Sequence, residues 1–226
     1  FSIFSFDTIR VKEIFQVGLP AALEQVIFQI GITAFLILVA YYGTEAYAAY
    51  GIGVQILSFS FVIGFGFSIA GATLVGQHLG AQNKDQAKRA GWGAMRLSII
   101  SMTFFGVLIT VFAEPLARYM IDNNEVVRLT VIFIWLLGSM QPLMAIEFSL
   151  GGALRGAGDT KTPLAITLTC LLFIRVFLAV IFFLLDARIE IIFSTLVADY
   201  IVKGFLYVAR FRSDRWMNAI KSKEAG

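Results

Sequence analysis

Six apolar stretches, each long enough to cross a bilayer, account for nearly all of this 226-residue chain. A spanning helix needs about 20 mostly apolar residues. Runs at about Phe15–Tyr42, Ala46–Val75, Trp92–Ala113, Val126–Leu154, Thr162–Leu185 and Ile189–Phe211 meet that requirement. In hydrocarbon each backbone N–H and C=O must find a partner within the protein, so such runs fold as helices. Apolar residues make up 58% and charged residues 15%, against about 45–50% and about 25% in soluble domains. The expected fold is an all-α membrane protein: a six-helix bundle over residues 15–211, with a cytoplasmic lead-in at 1–14 and a cytoplasmic tail at 212–226. The 22 phenylalanines suit helices that face lipid.

The ends of the runs carry their own signals. Asn83 with Gln86, and Asp122 with Glu125, have the spacing of a capping box. Thr162-Pro163 reads as N-cap and first helical residue. Gly43–Glu45 and Arg155–Asp159 read as short connectors. The stretch Gln77–Arg89 interleaves Leu79, Ala81 and Ala87 with charges, which predicts a short in-plane helix with its lysines at anionic headgroups. Six spans put both ends on one side. Twelve of the 18 Lys and Arg residues fall on that side and three on the other, so both termini are expected in the cytoplasm and the chain in the cytoplasmic membrane.

Several functions are excluded by what the chain lacks. Cys170 and His78 are the single cysteine and single histidine, so no intrachain disulfide and no Cys- or His-based metal cluster is expected. His78 reads as a surface or capping residue. The glycine-rich 152–159 lacks the preceding strand and following Lys-Ser/Thr of a phosphate-binding loop. The basic residues fit a lipid surface, and no nucleic-acid partner is expected. An enzyme would need a nucleophile–base set or metal ligands, so neither catalysis nor a cofactor is expected. The chain opens on Phe1 and shows no signal peptide, and it reads as a fragment or a chain trimmed at its front.

Charge inside a bilayer costs at least about 2.5–3.5 kcal/mol per residue near the centre, so each intramembrane charge needs a partner or a purpose. Gln25, Gln29 and Thr33 are spaced four apart on the first span, with Glu24 beside them. That polar line marks either a wet cavity or a polar helix–helix seam. Asp199 has two potential partners: Lys203, four residues on, and Arg175 near the middle of the fifth span. Glu147 shares its span with Gln141-Pro142 and Gly151-Gly152, a combination that predicts a weak point in the helix. Its carboxylate is a candidate to load a proton or hold a cation; a hydrogen bond to a neighbouring helix end is the plainer alternative. Gly51, Gly53, Gly64, Gly66, Gly71 and Gly76 in the second span indicate close helix packing or a broken helix.

These residues fall in an order that resembles the multidrug and toxic compound extrusion (MATE) family. Gly18-Leu19-Pro20, then Gly43-Thr44-Glu45-Ala46 and Ala48-Ala49-Tyr50, look like the opening helix pair of a lobe. Gly76 to Asn83 (GQHLGAQN) resembles the family's GQ-LGA-N stretch. Arg155 to Lys161 (RGAGDTK) resembles its turn between fourth and fifth helices, and Arg212 to Trp216 (RSDRW) its exit from the last. The resemblance covers about residues 10–217 and points to the carboxy-terminal lobe of a two-lobe, twelve-helix transporter. It implies an antiporter that exports cationic or amphipathic drugs and metabolites by alternating access, in exchange for Na⁺ or H⁺. The implied partners are the lipid bilayer, cationic small molecules and the amino-terminal lobe of the same transporter. Some branches carry a cation-binding glutamate about two turns after the first-helix proline. Phe28 stands there in this chain, and Glu24 comes one turn earlier.

Glu24, Gln25, Gln29, Glu147 and Asp199 are therefore the candidates for cation or substrate binding, with Arg175 and Lys203 as structural charge partners. A flippase for lipid-linked saccharides and a non-transporting membrane scaffold are the competing readings. The first would need a strongly cationic cavity for phosphates, and the second would pack Glu24 and Glu147 against neighbours without a cavity.

Overall fold

The structure is a computed structural model and describes residues 8–218. The lead-in before Thr8 and the tail beyond Asn218, with Lys221 and Lys223, lie outside the described residues. The elements in chain order are α1 (Thr8–Ala40), α2 (Thr44–Gly80), α3 (Lys84–Val111), α4 (Ala113–Met120), α5 (Asn124–Ser139), α6 (Gln141–Gly156), α7 (Lys161–Thr169), α8 (Phe177–Leu184) and α9 (Ile189–Arg212). A π-helical segment, Cys170–Val176, joins α7 to α8, and a 3₁₀ turn, Arg215–Asn218, follows α9. No strand occurs among the described residues. Five helices are long and apolar enough to cross a bilayer, counting α7 to α8 as one, and α5 with α6 makes the sixth span.

That sixth span is broken, with α5 and α6 meeting at 54°. The break falls at Met140, just before Gln141 and Pro142, where the missing N–H of proline releases a carbonyl of the preceding turn. Gly151-Gly152, by contrast, is no weak point. Gly152 and Gly156 lie one turn apart on the face of α6 that meets α2, where a Cβ on either would strike the backbone of Ser68 or Ala72. On α2, Gly71 and Gly76 return the contact: a Cβ there would lie 3.0 Å from the Ser149 oxygen and 3.1 Å from the Gly156 oxygen. This is the small-xxx-small packing of membrane helices, in which backbones touch directly. α2 runs unbroken through its 37 residues, so its glycines mark no helix break; Gly53, Gly64, Gly71 and Gly76 serve packing, while Gly51 and Gly66 face open space.

Other boundaries differ from the sequence expectations in instructive ways. Gln77–Arg89 is not an in-plane helix: α2 continues to Gly80, a turn passes through Ala81–Asn83, and α3 begins at Lys84. Asn83 caps α3 as expected, its side chain accepting from the Gln86 N–H at 3.1 Å. Replacing it with alanine is expected to lower stability by about 1 kcal/mol, read as a small fall in melting temperature in detergent; no change would mean solvent satisfies that N–H equally well. At α5 the cap is Asn123, not Asp122, accepting from the N–H groups of Glu125 and Val126. α7 begins at Lys161, with Pro163 inside its first turn, and the Thr162 hydroxyl donates to Asp159 instead of capping. α4 was not foreseen: Ala113 and Ala117 face inward while Leu116, Tyr119 and Met120 face out, as in a helix lying at a membrane surface.

Packing divides by height. One apolar cluster gathers Phe35, Met102, Phe133 and Phe193 toward the α4 end. A second gathers Val75, Leu150, Phe211 and Trp216 toward the opposite, basic end. There Trp216 stacks on Phe211 and donates its indole N–H to the Phe211 carbonyl, while Lys88 pairs with Asp214 at 2.7 Å. Many phenylalanines point outward, Phe59, Phe104, Phe173 and Phe205 among them. In water such exposure would be costly; in lipid it is the expected outer surface. The charged interior lies between the two clusters.

Candidate functional site

α1 brings Glu24 into the bundle, where the fold has built a partner for it. Arg155 sits in the last turn of α6, and helical side chains lean back toward the N-terminus. Its guanidinium therefore runs inward along α6, past Gly151, whose Cβ would stand 3.4 Å from it. Arg155 Nη1 lies 3.0 and 3.2 Å from the two Glu24 oxygens. Arg155 Nη2 donates to Ser68 Oγ at 3.3 Å, and Thr167 donates to Glu24 at 3.3 Å. Buried Glu24 is thus fixed by α6 and α7, with Ser68 of α2 steadying the arginine that holds it.

A second set lies on α9 and its neighbours. Asp199 is fully buried and serves both partners that the sequence offered: Arg175 Nη2 at 2.6 Å and Lys203 Nζ at 3.2 Å. The π-helical turn carries Arg175, and a widened turn of this kind often accompanies a functional side chain. Lys203, also fully buried, reaches Glu147 Oε1 at 3.3 Å. Glu147 is thus matched by a lysine across the bundle, not by a helix end. Arg175 lies 5.5 Å from the Tyr200 ring centroid, and the Lys203 ammonium lies 5.5 Å from Tyr200 and 5.8 Å from Phe28.

Both sets border one cavity of about 300 Å³. Glu24, Glu147, Arg155 and Arg175 provide its charges, and Phe28, Tyr50, Phe61, Phe65, Phe133, Phe148, Tyr200 and Tyr207 most of its walls. Carboxylates among aromatic faces suit an organic cation, which the rings attract through their quadrupoles. Among the sequence candidates, the structure gathers Glu24, Gln25 and Glu147 on this wall. Asp199 stands behind it, between its two cations. Gln29 does not line it: like Thr33, it is exposed on α1 away from the cavity. Arg155 was missed because its position at a helix end reads as a connector. Lys203 was seen only as a neighbour of Asp199, since spacing reveals partners on one helix and not across two. Tyr200 and Tyr207 carried no signal among so many aromatics. Among the described residues no group of acids, His and Cys is arranged to hold a metal ion.

A family model described as MatE matches residues 20–181. The probable multidrug resistance protein NorM of Thermotoga maritima is 35% identical over 214 residues, which cover 91% of this chain and 44% of that protein. The multidrug resistance protein NorM of Aliivibrio fischeri is 29% identical over 66% of this chain and 33% of its own length. The chain therefore spans less than half the length of these relatives. Among solved structures, the MATE transporter ClbM in complex with Rb⁺ superposes with a TM-score of 0.86 at 21% identity, covering 94% of this chain and 50% of that one. The eukaryotic MATE transporter AtDTX14 gives 0.85 at 20% identity over 99% and 51%. These two likenesses establish the fold of one lobe.

Proposed function

This chain belongs to the MatE family of multi-pass membrane transporters, and from that premise we propose that it is one lobe of a cation-coupled antiporter exporting cationic or amphipathic compounds. The family is one of transporters and not of enzymes, as the relatives' names agree. The observation that carries the reading is the cavity, in which Glu24 and Glu147 stand among aromatic walls. Its acids recommend positively charged cargo, and its apolar lining an amphipathic body. The exposed polar line of Gln29 and Thr33 on α1, continuing from Gln25 at the cavity wall, with exposed Gln55 and Ser58 on α2, supports the approach of a second lobe on that side. The basic end, with Lys84, Lys88, Arg89 and Arg212, is read as cytoplasmic.

Of the two cavity carboxylates, Glu147 is the better coupling residue. Glu24 is held by directed hydrogen bonds from Arg155, to both its oxygens, and from Thr167, whereas Glu147 is half-buried and has one ion-pair partner. The flippase reading finds less support, because the basic groups around the cavity are matched by acids. A scaffold would not need the cavity at all.

The test is export of a cationic dye by the full-length transporter containing this lobe, expressed in cells stripped of their own efflux pumps. Glu147→Gln at normal membrane levels is expected to lower export about tenfold or more. Collapsing the Na⁺ or the proton gradient separately identifies the coupling ion. If wild type exports no cationic dye the antiporter reading fails, and phosphate-bearing lipid cargo becomes the next candidate. Unchanged export by Glu147→Gln would place coupling on another carboxylate.

A further inference from the structure

Lys203 is an unusual occupant of the site. Its ammonium is fully buried, sits 3.3 Å from Glu147 and 3.2 Å from Asp199, and lies over the rings of Phe28 and Tyr200. Acids combined with aromatic faces form the environment in which proteins recognise free organic ammonium ions. Here the ion placed in it is tethered to the protein's own backbone. None of its contacts has the alignment of a hydrogen bond: Lys203 Nζ and both Asp199 oxygens are buried without such a partner. Glu24–Arg155, by contrast, is aligned at both carboxylate oxygens. The Lys203 ammonium is thus held mainly by charge and ring faces, and such a hold can be exchanged for that of another cation.

Resting on the antiporter reading, we infer that the Lys203 ammonium is a built-in stand-in for the cargo: it holds the cation position at Glu147 when the cavity is empty, and an organic monocation takes that position by displacing it toward Asp199. Asp199 can receive it, because Lys203 already lies within ion-pair distance of both acids. Arg175, already 2.6 Å from the same Asp199 oxygen, limits how far that carboxylate can compensate two cations, so the displaced ammonium is under pressure to return. The return expels the cargo. Lys203 thereby sets both affinity and release, and it favours singly charged cargo, since Glu147 is the one carboxylate made free by the exchange.

The test is a titration of tetraphenylphosphonium against the purified full-length transporter. Lys203→Met is expected to tighten binding about tenfold, since a like charge no longer competes at Glu147, and to slow export of the bound cation. Lys203→Arg should stay near wild type, and adding Glu147→Gln to Lys203→Met should abolish the gain. If Lys203→Met does not purify as a monodisperse protein, Lys203→Gln carries the same expectation. Failure of both to fold overturns the proposal, because the ammonium is then a structural necessity. Unchanged or weaker binding by a folded Lys203→Met, with wild type still binding, overturns it alone. Wild type that neither binds nor exports cations removes the antiporter reading, and this proposal with it.

Discussion

Asp199→Ala is expected to destabilise the lobe more than any other single charge removal in its interior. The carboxylate is fully buried and compensates Arg175 at 2.6 Å and Lys203 at 3.2 Å. Removing one partner of a buried pair costs about 3–5 kcal/mol, chiefly because the survivor is left charged in a poor solvent. Lys203 keeps Glu147, but Arg175 is stranded, and arginine cannot shed its proton to escape. At about 2–4 °C per kcal/mol for a chain of this size, the melting temperature in detergent should fall by roughly 10 °C or more. A second substitution separates this cause from a general packing defect. Arg175→Met in the Asp199→Ala background removes the stranded guanidinium and leaves Lys203 with Glu147, so the double variant should be more stable than Asp199→Ala. If it is less stable, or if Asp199→Ala melts with wild type, the charges are not what holds these helices together.

The second large effect lies on the α2–α6 seam. Gly152→Val and Gly156→Val each place side-chain atoms where the backbone of Ser68 or Ala72 already stands. Overpacking ordinarily costs about 1–3 kcal/mol because neighbouring side chains can shift. Here the neighbour is main chain in the middle of a 37-residue helix, which can yield only by moving as a whole. Loss of the folded peak in size-exclusion chromatography is expected for both. Gly66→Val on the same α2, where a Cβ meets nothing within 4 Å, should be tolerated. Equal behaviour of the three variants would show that the seam is looser than the structure has it.

How far the sequence alone leads depends on which kind of force is at work. Hydrophobic length is local, so the six spans and their order could be read directly. A break such as the one at Met140 was visible through Pro142, because proline removes a hydrogen bond wherever it stands. The π-helical turn at Cys170–Val176 left no such mark: no Gly or Pro announces it, and it arises where Arg175 meets α9. The pairing of charges was legible only in part. Asp199 and Lys203 could be matched because four residues make one helical turn, and Arg175 because a midplane arginine demands an acid. Glu24–Arg155 joins residues 131 apart, and Arg155 lies where the hydrophobic pattern has already ended. Its inward reach depends on the lean of its side chain along α6, a property of the folded helix. Glu147 could be recognised as costly to bury, but not as the partner of Lys203.

The inward-facing charges have a consequence for membrane voltage. Glu24, Glu147 and Asp199 are matched by Arg155, Lys203 and Arg175. A unit charge carried across a bilayer held at 100 mV does or absorbs about 2.3 kcal/mol of electrical work. An unbalanced interior would make any movement of the lobe through that field depend on potential, easing one direction and opposing the other. Because these six side chains sum to zero, a movement that keeps them together does no net electrical work. The potential then acts on what is carried and not on the carrier.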